Sequence, residues 1–138
     1  MMLTRFLTII ALVAASQAST SFLVGTWKNE LGSLMTIDAV TTDNVFSGTY
    51  KTAVSGNGTA LEAPVRGSFN PAAATAGTIA FIVDWQYVDE EGDVISATAW
   101  CGLVRGKTML TKWLLTHYCD PADDWQDTNI GMDTFNKI

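Results

Sequence analysis

Few side chains in this sequence could carry out chemistry, and their types narrow the options quickly. There is one histidine, His117, and two cysteines, Cys101 and Cys119. His117 and Cys119 stand at i and i+2, past the expected end of a strand. On a loop and without a third group to orient them, they read as an exposed histidine and a nearby thiol rather than a nucleophile pair. The same residues are too few for a closed metal site or an iron–sulfur cluster. Acids number 14 against 8 Lys and Arg, so counting alone leaves room for paired carboxylates of the glycosidase kind. Only Asp133 falls on an inward-facing position, however, and it has no partner there. The residues that do recur at meaningful spacing are hydroxyls, amides and indoles. Trp27 and Asn29 alternate, as do Tyr50, Thr52 and Val54. So do Ser96, Thr98 and Trp100, then Trp113 and Leu115, then Asp133 and Phe135. Such a set binds rather than reacts. The indoles suit a flat or apolar body, the hydroxyls and amides suit a few carbonyl or N–H groups at one end, and an ionised Asp133 wants an N–H.

The elements that must hold these residues are strands. Alternating, β-branched or aromatic runs at 25–30, 33–40, 45–55, 63–70, 77–87, 94–105, 107–116 and 128–138 are each closed by turn residues. The breaks fall at Leu31-Gly32, Thr42-Asp43-Asn44, Gly56-Asn57-Gly58, Asn70-Pro71, Glu91-Gly92-Asp93 and Arg105-Gly106. Short connections make neighbours antiparallel, and eight strands in a meander can close and remove both exposed edges. The expected fold is therefore all-β, an eight-stranded antiparallel up-and-down barrel. Asp120-Pro121-Ala122-Asp123-Asp124 carries a capping Asp, a Pro at the first helical position and acids in the first turn. It predicts a short helical turn before the last strand and puts Trp125 on it. If the alternating faces point inward, a polar interior lies beside several Trp. Unpartnered polar groups there would cost roughly 1–3 kcal/mol each, so a ligand that satisfies them is the better account. Were these faces outward, the same indoles would lie in water.

The chain has 138 residues, 48% apolar and 16% charged, with a net charge of -6, which fits one globular domain. Eight scattered basic residues make nucleic acid an unsuited partner, and neither a Gly-rich loop opening a helix nor an Arg cluster suggests phosphate. Residues 1–18 open with Arg5, continue through the apolar run FLTIIALVAA and end on Ser16-Gln17-Ala18. That is the pattern of a secretory signal peptide, too short to span a bilayer. The expectation is a signal peptide at 1–18, removed, and a secreted extracellular domain at 19–138 with no membrane anchor.

Five stretches, GTWKNELGS (25–33), FSGTYKTAV (46–54), SATAW (96–100), TKWLLT (111–116) and DDWQDTNIGMDTF (123–135), resemble, in order, the avidin–streptavidin family of biotin-binding proteins. The resemblance implies a non-enzymatic protein that binds biotin in the mouth of the barrel, needs no cofactor and forms a homotetramer. It implies that Asn29, Ser33 and Tyr50 donate to the ureido oxygen, that Thr52 and Asp133 accept from the ureido N–H groups, and that the Thr98 hydroxyl lies beside the thioether sulfur. Trp85, Trp100 and Trp113 would be the aromatic walls, with Leu115 beside them. Ser55, Gly56, Asn57 and Ser96 would hold the valerate carboxylate, and Trp125 would reach a neighbouring subunit's site. The competing binding module is a lipocalin-like carrier of another apolar or cyclic-urea-like ligand, whose pocket would not need so many polar groups.

Three features depart from that pattern or add to it. The stretch 86–95 carries Asp89, Glu90, Glu91 and Asp93 and reads as a solvated acidic loop; placed near the mouth it would repel a free carboxylate. Asn57-Gly58-Thr59 is an N-glycosylation sequon. Cys101 and Cys119 belong to a secreted chain and so invite a disulfide, yet a hairpin centred on Arg105-Gly106 sets Cys101 opposite Lys112, about 23 Å from Cys119 at strand rise. That register argues against a bridge within the chain unless the loop folds back. Cys101 is expected to point outward, and pairing between subunits stays open.

Overall fold

A computed structural model of the chain describes residues 20–53, 60–90 and 92–138. The segment 1–18 expected to be a signal peptide, and Ser55, Gly56, Asn57 and the sequon, lie outside these residues.

Eight strands follow one another around a closed barrel: β1 (Gly25–Asn29), β2 (Leu34–Val40), β3 (Val45–Lys51), β4 (Glu62–Ala73), β5 (Ala76–Asp89), β6 (Gly92–Arg105), β7 (Thr108–His117) and β8 (Thr128–Lys137). Each pairs antiparallel with the next, and β1 pairs with β8 through Trp27↔Lys137, Lys28↔Asn136 and Asn29↔Phe135. Closure leaves no strand without a neighbour on both sides, which removes the free edge strands an open sheet would present. The strand-period pattern in the sequence becomes an inside and an outside. Trp27, Asn29, Tyr50, Thr98, Trp100, Asp133 and Phe135 are all buried, while their neighbours in sequence face solvent.

Four local expectations are corrected. Asn70-Pro71 does not end a strand, because β4 continues to Ala73. The register shifts between Pro71 and Ala73, and such an irregularity is where a sheet tolerates a residue with no N–H. Residues 86–95 are not a loop. β5 and β6 stay paired out to Val88↔Asp93 and Asp89↔Gly92, so Asp89 and Asp93 belong to paired strands rather than to a loop. His117 is the last residue of β7, paired with Ser96, rather than a loop residue. The third strand ends at Lys51, short of position 55.

Between β7 and β8 a 3-10 helix spans Pro121–Gln126, with Pro at its start as predicted. Asp120 sits at its N-cap, but the side chain makes no cap hydrogen bond; the Asp123 N–H bonds the Asp120 carbonyl at 2.8 Å instead.

One end of the lumen is plugged. A 3-10 turn at Ser21–Leu23 sets Leu23, fully buried, under the barrel, and the Trp27 Nε1–H donates to the Leu23 carbonyl at 2.9 Å. Lys137 Nζ donates to the Phe22 carbonyl at 2.6 Å and lies 5.8 Å from the centre of the Trp27 ring. Above this plug Met35, Ile37, Phe46, Val65, Phe69, Ile79, Val104, Met109 and Phe135 fill the interior. Each such side chain, fully buried, contributes roughly 1.5–3 kcal/mol. The plug fixes where the lumen can be hollow, at the opposite end.

Candidate functional site

The hollow end is a pocket of about 390 Å³. Asn29 at the end of β1, Ser33 before β2, Tyr50 on β3, Thr52 just past it, Trp85 on β5, Ser96, Thr98 and Trp100 on β6, Trp113 and Leu115 on β7 and Asp133 on β8 all line it. The backbone of Trp125 lies in the 3-10 helix; its side chain is not among the parts described. Leu31, Leu61 and Tyr87 also line the pocket and were missed from sequence. Tyr87 could have been found, since it stands two residues beyond Trp85 on the same face of β5. Leu31 and Leu61 lie outside strands, where periodicity carries no signal.

The floor is aromatic. Tyr50 stacks on Trp100 with ring centres 5.0 Å apart, and Trp100 stacks on Phe81 at 4.9 Å. Trp85 meets Tyr50 edge-on at 5.8 Å. Trp113 lies flat across β8 because its cross-strand partner is Gly131. A Cβ at Gly131 would come within 2.2 Å of the Trp113 ring, so glycine there is a condition of the wall.

Neighbouring hydrogen bonds decide which polar atoms face the cavity, and in what role. Asn29 Oδ1 accepts from the Leu31 N–H at 3.1 Å and the Ser33 N–H at 2.8 Å. The turn after β1 is thus folded around the Asn29 carbonyl oxygen, and the amide NH₂ is left to donate. Ser33 Oγ accepts from the Ala53 N–H at 3.0 Å, which leaves its own O–H available as a donor, with the Tyr50 oxygen within its reach. Thr98 Oγ1 accepts from Trp85 Nε1 at 3.0 Å, which likewise leaves its O–H available as a donor. Tyr50 remains a phenol. Burial pushes its titration upward, the charge of Asp133 pushes it further, and the Ser33 hydroxyl only partly offsets them. Three donors, on Asn29, Ser33 and Tyr50, therefore come together from β1, the turn after it and β3.

Asp133 is the one acid lining this pocket, and it is 5% exposed. Its Oδ2 accepts from Trp100 Nε1 at 2.8 Å. Burial raises its pKa; the Trp100 hydrogen bond opposes that, Glu30 adds to it, and hydrogen bonds from Asn29 and Trp113 oppose it again. An ionised Asp133 is an acceptor only, so the pocket holds one acceptor beside a donor trio, with Asn29 of the trio in contact with it. Among the described residues no fully buried side-chain N or O lacks a partner. The polar lining is therefore satisfied internally or opens onto the cavity, as a site ready to exchange water for a polar ligand must be.

Away from the pocket, Cys101 and Cys119 are both free thiols. Cys101 pairs across the hairpin with Lys112 and is exposed, the register and orientation expected. Among the described residues no cluster of His, Cys, Asp and Glu could hold a metal ion, and no helix is long and apolar enough to cross a membrane. On the outer surface of the barrel lies a broad apolar hollow of about 1100 Å³, with Ile82, Leu114, Ile130 and Met132 exposed in it.

Comparison with known proteins agrees with the architecture. The sequence pattern of the Avidin family matches residues 17–138. Avidin of Gallus gallus is 38% identical over 135 residues, covering 94% of this chain and 87% of avidin. Avidin-related protein 4/5 of the same organism is 39% identical over 134 residues, covering 94% and 87%. Among solved structures, a biotin binding protein from chicken superposes with a TM-score of 0.72 at 34% identity, over 84% of this chain and 97% of that one. Xenavidin matches at 0.72 and 32%, with the same coverage. With the family pattern matched over residues 17–138, a superposable fold and this identity along nearly its whole length, the chain belongs to the avidin family.

Proposed function

We propose that this protein is a secreted, non-catalytic biotin-binding protein. The observation that carries the reading is the opposition inside one indole-walled pocket of three donors, Asn29, Ser33 and Tyr50, to the acceptor Asp133. A cyclic urea is the complement of that arrangement. Its oxygen accepts from the three donors, and its N–H groups donate to Thr52 and Asp133. Three donors on one oxygen favour the resonance form with negative charge there, and the carboxylate opposite favours the matching positive charge on nitrogen. Charge-assisted hydrogen bonds of this kind are about twice as strong as neutral ones. Trp85, Trp100, Trp113 and Leu115 enclose the bicyclic body, and the Thr98 hydroxyl lies beside the sulfur. Ser96, with Ser55, Gly56 and Asn57, takes the valerate carboxylate. The similarity to a biotin binding protein from chicken supports the same ligand.

The proposal extends to assembly. The exposed Ile82, Leu114, Ile130 and Met132 line one apolar hollow on the outside of the barrel, the kind of surface that a second copy can cover. This supports a homotetramer buried on that face, in which Trp125 completes a neighbouring subunit's pocket. No cofactor is required, and residues 1–18 serve as the secretion signal.

Titration of the intrinsic tryptophan fluorescence with biotin and with a desthio analogue tests the reading. Saturation at one biotin per chain, with weaker binding of the analogue that lacks the sulfur beside Thr98, is expected. No change in fluorescence with biotin, alongside binding of retinol or a fatty acid, would replace the proposal with an apolar carrier.

A further inference from the structure

The acceptor Asp133 stands at a weak place in the barrel. β1 is short, and its ladder with β8 stops at Asn29↔Phe135. The peptide joining Asp133 to Thr134 lies just beyond that point. Beyond the β7–β8 ladder, in which Asp133 faces Thr111 and Thr134 faces Leu110, two side chains hold it. On one side the buried Thr111 hydroxyl donates to the Asp133 carbonyl at 2.9 Å. On the other, Oε2 of Glu30, the first residue past β1, accepts from the Thr134 N–H at 2.9 Å. The carbonyl and the N–H belong to one peptide plane, so the plane is fixed at both ends. The direction in which the Asp133 side chain leaves the strand is fixed with it.

We infer that Glu30 is a positioning residue for Asp133, clamping with Thr111 the peptide that carries it and placing a second negative charge beside the acceptor of the site. The inference rests on the biotin reading for its functional consequence, though not for the clamp itself. The titratable groups facing Asp133 are Glu30, past β1, and Tyr50 on β3. Trp100, Trp113 and Asn29 bond to it without titrating in the ordinary range. Burial is the larger cause of the raised pKa of Asp133, and the Glu30 charge adds to it. Glu30 thus does two separable things. As an acceptor it fixes the peptide, and as a charge it makes Asp133 hold its proton to a higher pH. A proton on Asp133 removes the acceptor that a ureido N–H needs, so the charge on Glu30 narrows the pH range of binding while its hydrogen bond secures the geometry.

Two substitutions separate these effects. Glu30→Gln keeps an acceptor oxygen and removes the charge; Glu30→Ala removes both. NMR of the ligand-free full-length secreted protein reads the clamp directly. The midpoint of the Asp133 carboxyl resonance is expected to fall in both variants. Hydrogen-exchange protection of the Thr134 amide is expected to persist in Glu30→Gln and to be lost in Glu30→Ala. With biotin, the acid limb of the affinity profile should move to lower pH in Glu30→Gln. Dissociation from Glu30→Ala at neutral pH should be about fivefold faster, the effect of one ordinary hydrogen bond. An unmoved Asp133 midpoint in Glu30→Gln, or an unchanged Thr134 exchange rate in Glu30→Ala, overturns the inference whether or not biotin binds. Failure of the wild-type protein to bind biotin overturns the functional reading and leaves the NMR result to stand on its own.

Discussion

The two ends of the barrel lumen are built from the same strands on the same alternation, yet they are opposite in character. At the plugged end Trp27, with no exposed surface, spends its N–H on the Leu23 carbonyl and is packed all round. At the open end Trp85 and Trp113 are only partly buried and face a cavity of about 390 Å³. β1 passes from Trp27 to Asn29, β6 from Val104 to Trp100, Thr98 and Ser96, and β8 from Phe135 to Asp133. In each, apolar residues lie on the plug side and hydrogen-bonding groups toward the mouth. Alternation therefore decides what is inside, and residue type decides which end is solid. A plugged end supplies stability; an open end forgoes the packing that would fill its cavity.

Trp27→Ala should give the largest effect and keep it on the stability side. Removing a fully buried indole costs about 3–5 kcal/mol, read as a lower midpoint in guanidinium, while the biotin affinity of the folded fraction changes little. A loss of affinity larger than the loss of stability would mean that the two ends are not separable.

Asp133→Ala should do the reverse. Loss of a charged hydrogen-bond partner, about 1.5–3 kcal/mol, corresponds to roughly 10–150-fold weaker biotin binding with the fold intact. Near-wild-type affinity in calorimetry would count against Asp133 as acceptor.

The raised pKa of Asp133 adds a pH signature with opposite signs for folding and binding. The native state holds this proton to a higher pH than the unfolded chain does. The contribution of Asp133 to stability is therefore greatest while it is protonated, and it falls as pH rises through the native midpoint. Binding needs the carboxylate, so affinity rises through the same range. Comparison of wild type with Asp133→Asn isolates both. Affinity that is flat across the acid range, or stability that rises with pH relative to the Asn variant, would contradict the assignment.

Trp125→Lys concerns the mouth and the assembly together. A lower affinity and a shift toward dimers in light scattering are expected, and unchanged mass with unchanged affinity would reject a shared site. The smallest effect belongs to the acidic hairpin. Glu90 and Asp93 are exposed, and such charges are screened within about 8–10 Å at physiological salt. Salt should raise the affinity for free biotin slightly more than that for a neutral biotin amide, and equal slopes would make the hairpin a solvated surface and nothing more.

Much of this was legible in the sequence because strand period is a local signal. The strand order, the inward sets and the Lys112 register of Cys101 follow from alternation and turn residues. What escaped depends on partners distant in sequence. Pro71 looks like a terminator until the register shift beside it is seen. The 86–95 stretch looks like a loop because its acids hide the cross-strand pairing of Tyr87 with Val94. The pocket residues on strands could be placed by counting twos, whereas Leu31 and Leu61 could not. The bonds that make Ser33 and Thr98 donors join Ala53 to Ser33 and Trp85 to Thr98. Neither is visible from spacing, since both depend on how the closed barrel brings separate segments together.

The most direct test is a crystal structure of the protein with biotin. The account predicts the ureido oxygen within hydrogen-bonding distance of Asn29, Ser33 and Tyr50, one ureido N–H on Asp133 and the other on Thr52, and the rings of Trp85, Trp100 and Trp113 around the bicycle. Biotin seated with its carboxylate toward Asp133, or bound only on the outer apolar hollow, would contradict it.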